Sequence, residues 1–351
     1  MNDTIPTVIL GGTGYVAGEL LRMIVQHPQL YLSAAISESH AGEQIRAVFP
    51  NLQNNFGDQT FVPREHLAEH ISDKVAIFCA APHGASAALV AETIAAAAEQ
   101  TAELTIVDTS ADFRYATAPE YEAVYGKPHG APELLDQFTC SVPEHLSGTQ
   151  SGHIGHPGCF TTAILLAAVP LLKLQFVEPK LYAVGITGST GSGHTPASNT
   201  HHPFRHSNLF AYQPLTHRHA PEVTAICRSL TDTEPTLQFV PHSGPFTRGI
   251  HITLQAQLTT PMPETEVRQA LQHFYADHQF VQVLDGTPRL KDVVGSNYCH
   301  LGVAVNGTSL VLFSVIDNLV KGAAGGAMQW MNRQLGLDEC AGLNLPGPAW
   351  V

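Results

Sequence analysis

Charge is what this chain has least of. Asp, Glu, Lys and Arg make up 13% of its 351 residues, and 17 basic residues stand against 30 acidic ones, a formal net charge of −13. Binders of nucleic acid or of anionic membranes carry a basic face, so neither partner is expected. No apolar run approaches the roughly 20 residues of a membrane-spanning helix. The six cysteines, at 79, 140, 159, 227, 299 and 340, show no CxxC spacing. That argues against a zinc site or a disulfide framework and for reduced thiols in a cytoplasmic protein. In residues 1–6 no basic stretch precedes an apolar one, so a secretory leader is not expected. No internal repeat stands out. What remains is 44% hydrophobic with 29 Gly and 24 Pro, the composition of a compact, turn-rich protein long enough for two domains.

The first signal present is a glycine turn. Thr7-Val8-Ile9-Leu10 reads as a strand, and Gly11-Gly12-Thr13-Gly14-Tyr15-Val16-Ala17 leads from it into an apolar helical period. The spacing Gly12-x-Gly14-x-x-Ala17 fits a dinucleotide fingerprint, in which glycines let the backbone approach a pyrophosphate at a helix N-terminus. A second strand over residues 30–36 ends at Ser37-Glu38-Ser39-His40. An NAD site usually presents a carboxylate first at this point to bind the ribose 2′-hydroxyl. Serine comes first here, so NADP is expected over NAD. Val75-Ala76-Ile77-Phe78-Cys79-Ala80 is apolar on both faces, as a strand buried in a parallel sheet must be. Pro82-His83-Gly84 and Ser110-Ala111-Asp112-Phe113-Arg114 follow two such strands at their carboxyl ends, where open α/β sheets bind ligands. Arg114 is an anion candidate there.

The second signal is His156-Pro157-Gly158-Cys159-Phe160-Thr161-Thr162, followed by a wholly apolar run to Val169. Pro157 and Gly158 break any preceding helix, so Cys159 should open a new one. Free N–H groups and the positive dipole end favour an anion at that place, a thiolate included. Cys159 is therefore the candidate nucleophile. Beyond it the pattern becomes α+β: a strand over 180–187, a long irregular segment to about Phe210, and alternating strands of antiparallel type at 250–254, 301–306 and 309–316. His201, His202 and His206 lie in the irregular segment without a carboxylate or cysteine at ligand spacing, so no metal is expected. His217-Arg218-His219 places two titratable rings and a cation in one turn, suited to proton transfer beside a thiol. Arg248, at a strand entrance, is a further anion candidate.

In this order the motifs resemble those of the N-acetyl-gamma-glutamyl-phosphate reductases, within the aspartate-semialdehyde dehydrogenase-like group. Those carrying the resemblance are Gly11-Gly12-Thr13-Gly14-Tyr15, Pro82-His83-Gly84, Ser110 to Arg114, Pro157-Gly158-Cys159, His217-Arg218-His219-x-Pro221-Glu222, Pro241-His242 with Arg248-Gly249, Gly295-Ser296-Asn297-Tyr298-Cys299 and Asp317-Asn318-Leu319-x-Lys321-Gly322-Ala323-Ala324. The resemblance implies a Rossmann-type doubly wound domain over 1–155, with a C-terminal helix over 318–351 packing back on it. A domain with a mixed, mostly antiparallel sheet over 156–317 would carry the substrate and the contacts of a homo-oligomer, a dimer or tetramer. It implies NADPH-dependent reduction of an acyl phosphate to a semialdehyde in arginine biosynthesis, through a Cys159 thioester, with His217 or His219 as acid/base. NADP(H) contacts would fall on Gly11, Thr13, Gly14, Tyr15, Val16, Ser37, Ser39, Pro82, Gly188 and Asn318. Substrate contacts would fall on Arg114, Ser189, Arg218 and Arg248. Three features depart from the family pattern: His156 where Asn is usual, an altered Gly188 to Gly193 segment, and the His201-His202 insertion. The alternatives are an aminoadipyl or aspartyl phosphate reductase using the same motifs, and a non-catalytic NADP-binding sensor.

Overall fold

A computed structural model describes residues 4–348 and resolves the chain into two compact units, Met1–Ser141 with Gly148–His156 and Ala324–Asn344, and Val142–Ser147 with Pro157–Ala323 and Leu345–Val351.

The first unit is built on six strands: β1 (Ile5–Leu10), β2 (Leu30–Ile36), β3 (Lys74–Cys79), β4 (Glu103–Asp108), β5 (Phe138–Cys140) and β6 (His153–Gly155). They lie in the order β2-β1-β3-β4-β6-β5, every pairing parallel. The apolar residues of β1 and β3 are buried on both faces of the sheet, which is why these strands read as unbroken hydrophobic runs. Because β1 pairs with both β2 and β3, the strand order reverses there, and that reversal places the ligand crevice at their carboxyl ends. The helix Tyr15–Gln26 and the alanine-rich helix Ser86–Gln100 follow β1 and β3.

The helix expected over 318–351 is shorter. A π turn, Val320–Ala324, precedes the α-helix Gly325–Gln334. Gly336 then takes a left-handed φ of 68°, which stops the helix, and residues 349–351 lie outside the described part. The α-helical part belongs to the first unit. Trp330 donates from Nε1 to the Ser141 carbonyl at 2.8 Å, and Asn332 meets His27 at 2.8 Å.

The second unit has seven strands: β7 (Lys180–Thr187), β8 (Phe210–Ala211), β9 (Thr236–Ser243), β10 (Ile250–Gln257), β11 (Val281–Val283), β12 (Cys299–Asn306) and β13 (Ser309–Ile316). Their order is β11-β12-β13-β10-β7-β9-β8, antiparallel except for β11 with β12 and β7 with β9. Burial alternates along β7 and β10, as it must when one sheet face is packed and the other is not. The helix Cys159–Lys173 lies on the packed face, and every residue from Phe160 to Leu172 is buried. A helix apolar all round belongs in a core. Its internal Pro170 cannot donate to the Leu166 carbonyl one turn back. The Tyr275 hydroxyl donates to that carbonyl at 2.8 Å instead, and Tyr275 is met in turn by His145 at 3.0 Å. Among the described residues no helix is long and apolar enough to cross a membrane.

Candidate active site

In the first unit, the turn after β1 has the geometry of an anion cradle. Gly11 has φ +78°, and a Cβ there would stand 2.7 Å from the Ala81 backbone, so only glycine fits. Gly14 is the N-cap of the Tyr15–Gln26 helix, and a Cβ on it would meet nothing within 4 Å. No side chain caps this helix and no acidic residue occupies its first turn. A helix N-terminus with neither a side-chain cap nor an acidic first turn is suited to a pyrophosphate. Thr13, Tyr15 and Val16 belong to the same turn. Pro82 starts the turn after β3, where Ala85 N–H donates to its carbonyl at 3.0 Å. Asp112 ties that turn down by accepting from the N–H of Gly84 at 2.7 Å and of Ala87 at 3.0 Å.

At the end of β2, Ser37 and Ser39 stand with their hydroxyls 3.5 Å apart. Glu38 turns to the Arg64 backbone, accepting its N–H at 2.6 Å, and the Arg64 side chain pairs with Glu92. The carboxylate that could have bound a ribose hydroxyl is thus engaged elsewhere. Two serines, His40 and a half-exposed arginine border the same corner. Sequence reasoning missed Arg64, which lies 26 residues from Glu38 on a 3₁₀ turn that its local sequence does not announce.

In the second unit, the helix begins at Cys159 with Gly158 as N-cap. Gly158 N–H donates to the buried Glu222 carboxylate at 2.7 Å, and Thr162 N–H returns to the Gly158 carbonyl at 2.7 Å. The thiol is half-buried, neither sealed in the core nor fully exposed. Gly322, on the π turn, packs directly against it: a Cβ at 322 would lie 2.8 Å from the Cys159 Cβ. A π turn inside a helix often marks a functional site. Here Asp317 shapes it, accepting from the N–H groups of Leu319 (2.8 Å), Val320 (3.0 Å) and Gly295 (2.7 Å) and holding Arg248 through Nε at 3.0 Å and Nη2 at 3.1 Å.

The His217-Arg218-His219 turn opens the helix His219–Leu230, with Arg218 at its N-cap. Both imidazoles are buried and lie 4.7 Å apart, near-perpendicular. The Phe160 ring, one residue past Cys159, packs edge-on to both at 5.7 and 6.1 Å. His217 Nδ1 accepts the His219 N–H at 3.2 Å. That fixes its neutral form with the proton on Nε2, and burial, aided by Arg218, pushes its pKa down to about 4. The Tyr212 hydroxyl lies within electrostatic reach of Cys159, Arg218 and Arg205, and its pKa is pushed up, mainly by burial.

The remaining candidates are placed as follows. Gly188 N–H donates to the Gly249 carbonyl at 2.9 Å, and Ser189 N–H to the Phe246 carbonyl at 3.0 Å, so both sit where β7 ends beside the start of β10. Asn318 accepts the Gly249 N–H at 2.7 Å and donates to Thr190 Oγ1 at 3.0 Å, bracing the same corner. Arg114 belongs to the first unit, where its Nε donates to the His156 carbonyl at 3.0 Å and its Nη2 to the Thr109 carbonyl at 2.9 Å. His202 and His206 stack at 5.1 Å, and among the described residues no cluster of three or more metal-ligating side chains occurs. Glu222, Asp317, Gly322 and Tyr212 were not singled out from sequence. Glu222, Asp317 and Gly322 lie inside motifs that were quoted, but their roles depend on partners far along the chain.

Two buried histidines give this unit a predictable response to acid. Burial holds His217 near 4 and His145 near 3, against 6.5 in an unfolded chain. Below pH 6.5 the unfolded state takes up protons that the folded state refuses, so stability falls as pH drops toward 4. Each loss is on the order of a few kcal/mol. Melting curves should show the transition temperature falling steeply between pH 6.5 and 4, and a flat profile would refute the assignment.

Comparison with known proteins places these features. Residues 7–138 match the family model for the semialdehyde dehydrogenase NAD binding domain, and residues 159–318 match that for the semialdehyde dehydrogenase dimerisation domain. The chain is 37% identical to the N-acetyl-gamma-glutamyl-phosphate reductase of Pseudomonas aeruginosa over 343 residues, which covers 96% of this chain and 97% of that one. It is 36% identical to the enzyme of the same name from Methanopyrus kandleri, covering 97% and 98%. In fold it is similar to aspartate semialdehyde dehydrogenase II of Vibrio cholerae, with a TM-score of 0.69 at 15% identity, covering 95% of this chain and 99% of that one.

Proposed function

The chain belongs to the N-acetyl-gamma-glutamyl-phosphate reductase family, and from that premise we propose that it reduces N-acetyl-L-glutamyl 5-phosphate to N-acetyl-L-glutamate 5-semialdehyde, releasing phosphate, as a homo-oligomer in the cytoplasm. The observation that carries the catalytic reading is a half-buried cysteine at a helix start, with Gly322 of the π turn against its Cβ and the adjacent Phe160 ring edge-on to two buried histidines.

Cys159 Sγ attacks the acyl carbon and the carbon–oxygen bond to phosphate breaks, leaving a thioester. The leading N–H groups of the Cys159 helix receive the developing oxyanion. His219 is assigned the proton transfers, taking the thiol proton before attack and serving the thiohemiacetal as it collapses to aldehyde. His217 remains neutral with its Nδ1 committed to the His219 backbone, so its part is to orient the turn and offer an Nε2 proton as a hydrogen-bond donor. The dinucleotide, held by Gly11, Thr13, Gly14, Tyr15, Val16 and Pro82, supplies the hydride when bound. Ser37, Ser39, His40 and Arg64 favour the 2′-phosphate of NADP over the bare hydroxyl of NAD, since Glu38 is turned to the Arg64 backbone. Gly188 and Asn318 frame the corner proposed for the nicotinamide. Ser189, Arg218 and Arg248 are proposed for the substrate. Arg114, whose Nε and Nη2 also brace the His156 and Thr109 carbonyls, is proposed as a further anion contact for the substrate.

The test is the reverse reaction. N-acetylglutamate semialdehyde should be oxidised only when NADP and phosphate are both present. The specificity constant should favour NADP over NAD by about tenfold or more, equivalent to about 1.4 kcal/mol, and favour this aldehyde over aspartate semialdehyde. Preference for aspartate semialdehyde would shift the assignment within the group, and phosphate-independent or absent oxidation would end it.

A further inference from the structure

Arg205 is a buried cation that meets no carboxylate among the described residues. It is 8% exposed, yet its polar partners are the Ser243 hydroxyl, reached by Nη1, and the Gly244 carbonyl, reached by Nη2 at 2.7 Å. Its Nε has no hydrogen-bond partner although it is shielded from water. Burying a guanidinium without a counter-ion is strongly unfavourable, so a buried arginine ordinarily marks a pair or a ligand. Another arginine of the same unit differs. Arg248 is held in a fork by Asp317.

The position narrows what the ligand can be. Ser243 and Gly244 lie at the carboxyl end of β9, where Gly244 N–H donates to the Thr187 carbonyl at 2.8 Å at the end of β7. The next residues, Gly188 to Thr190, carry the corner braced by Asn318. Phe210, over which the Arg205 guanidinium sits at 5.7 Å, pairs with Ser243, and Tyr212 lies two residues on, within electrostatic reach of both Arg205 and Cys159. A buried, incompletely bonded guanidinium therefore stands at the carboxyl ends of β7 and β9, with Tyr212 within electrostatic reach of both it and the nucleophile, all in one unit of the fold.

We propose that Arg205 binds an anionic oxygen of the substrate, completing its hydrogen bonds and its charge only when substrate is present. This rests on the reaction proposed above, in which the substrate carries such oxygens at two places, the α-carboxylate and the phosphoryl group. The insertion that carries His201 and His202 would then exist to deliver this side chain, making it a specificity determinant absent from the shared motifs.

The reverse reaction separates the two oxygen sources, because the aldehyde brings the carboxylate and free phosphate brings the other. With Arg205→Gln, KM for N-acetylglutamate semialdehyde is expected to rise about 10- to 100-fold, the loss of one charge-assisted contact, with the loss in KM rather than in kcat. A rise confined to KM for phosphate would assign the contact to the phosphoryl group. Arg205→Lys, which keeps a cation, should lie between and serves where the glutamine variant does not fold. Both KM values unchanged, with only a lower melting temperature, would mean that Arg205 merely braces the 243–244 turn and would overturn the inference. The wild type is measured first, so an inactive wild type would overturn the proposed reaction itself, and this inference with it.

Discussion

Cys159→Ser is expected to lower turnover by at least three orders of magnitude while leaving NADPH binding intact. Removing an activated nucleophile has costs of this size because the covalent route itself is lost, and the residual rate comes from binding and oxyanion stabilisation alone. A hydroxyl is nearly isosteric but is a far weaker acid than a thiol, so it is not ionised near neutral pH where the thiol can be. The surroundings require little repacking, since Gly322 presents no side chain and Phe160 carries the ring contacts. The check is NADPH consumption with acyl phosphate, read beside the dinucleotide Kd from fluorescence. Turnover within tenfold of wild type would remove Cys159 from the chemistry.

Lys321→Met is expected to destabilise the second unit by about 3–5 kcal/mol, the usual cost of stranding one member of a buried ion pair. Lys321 and Glu144 are both fully shielded from solvent and in direct contact, with the Phe280 ring 5.6 Å from the ammonium. Removing the lysine leaves Glu144 charged in a medium that cannot solvate it. The expected drop in melting temperature is roughly 6–20 °C. Lys321→Met combined with Glu144→Gln should recover much of that drop, because no orphan charge remains. A single variant that melts like wild type would show that the pair contributes nothing net. Lys321 precedes Gly322 on the π turn, so the same variant should also lower kcat by shifting the wall against which Cys159 packs.

Sequence patterns disclosed those parts of the molecule whose causes are local. The strand, glycine turn and helix at residues 5–26 follow from a period and from backbone freedom at Gly11, and the helix starting at Cys159 follows from Pro157-Gly158 ahead of an apolar run. The change from two-sided to alternating burial between β3 and β10 was likewise visible in the residues, and with it the change from a parallel to a mainly antiparallel sheet. Hidden from the sequence were effects with distant causes. Nothing near Gly158 announces that its N–H belongs to Glu222, 64 positions away, and nothing near Val320 announces a π turn. Arg114 reads as an anion contact because it lies in a polar loop at a strand end, but the His156 carbonyl that its Nε also reaches, 42 positions on, is not announced there. Arg205 drew no attention because its burial is imposed by Ser243 and Gly244, which local sequence does not pair with it.

The return of Ala324–Asn344 to the first unit sets an order of events during synthesis. All six strands of that unit have been synthesised by residue 155, but Trp330 and Asn332, which anchor to Ser141 and His27, are made only after the whole of the second sheet. The nascent dinucleotide unit must wait, lacking one helix, while more than a hundred intervening residues find their own arrangement. A chain terminated anywhere between residues 155 and 324 would carry every strand of its first sheet and no means of finishing it.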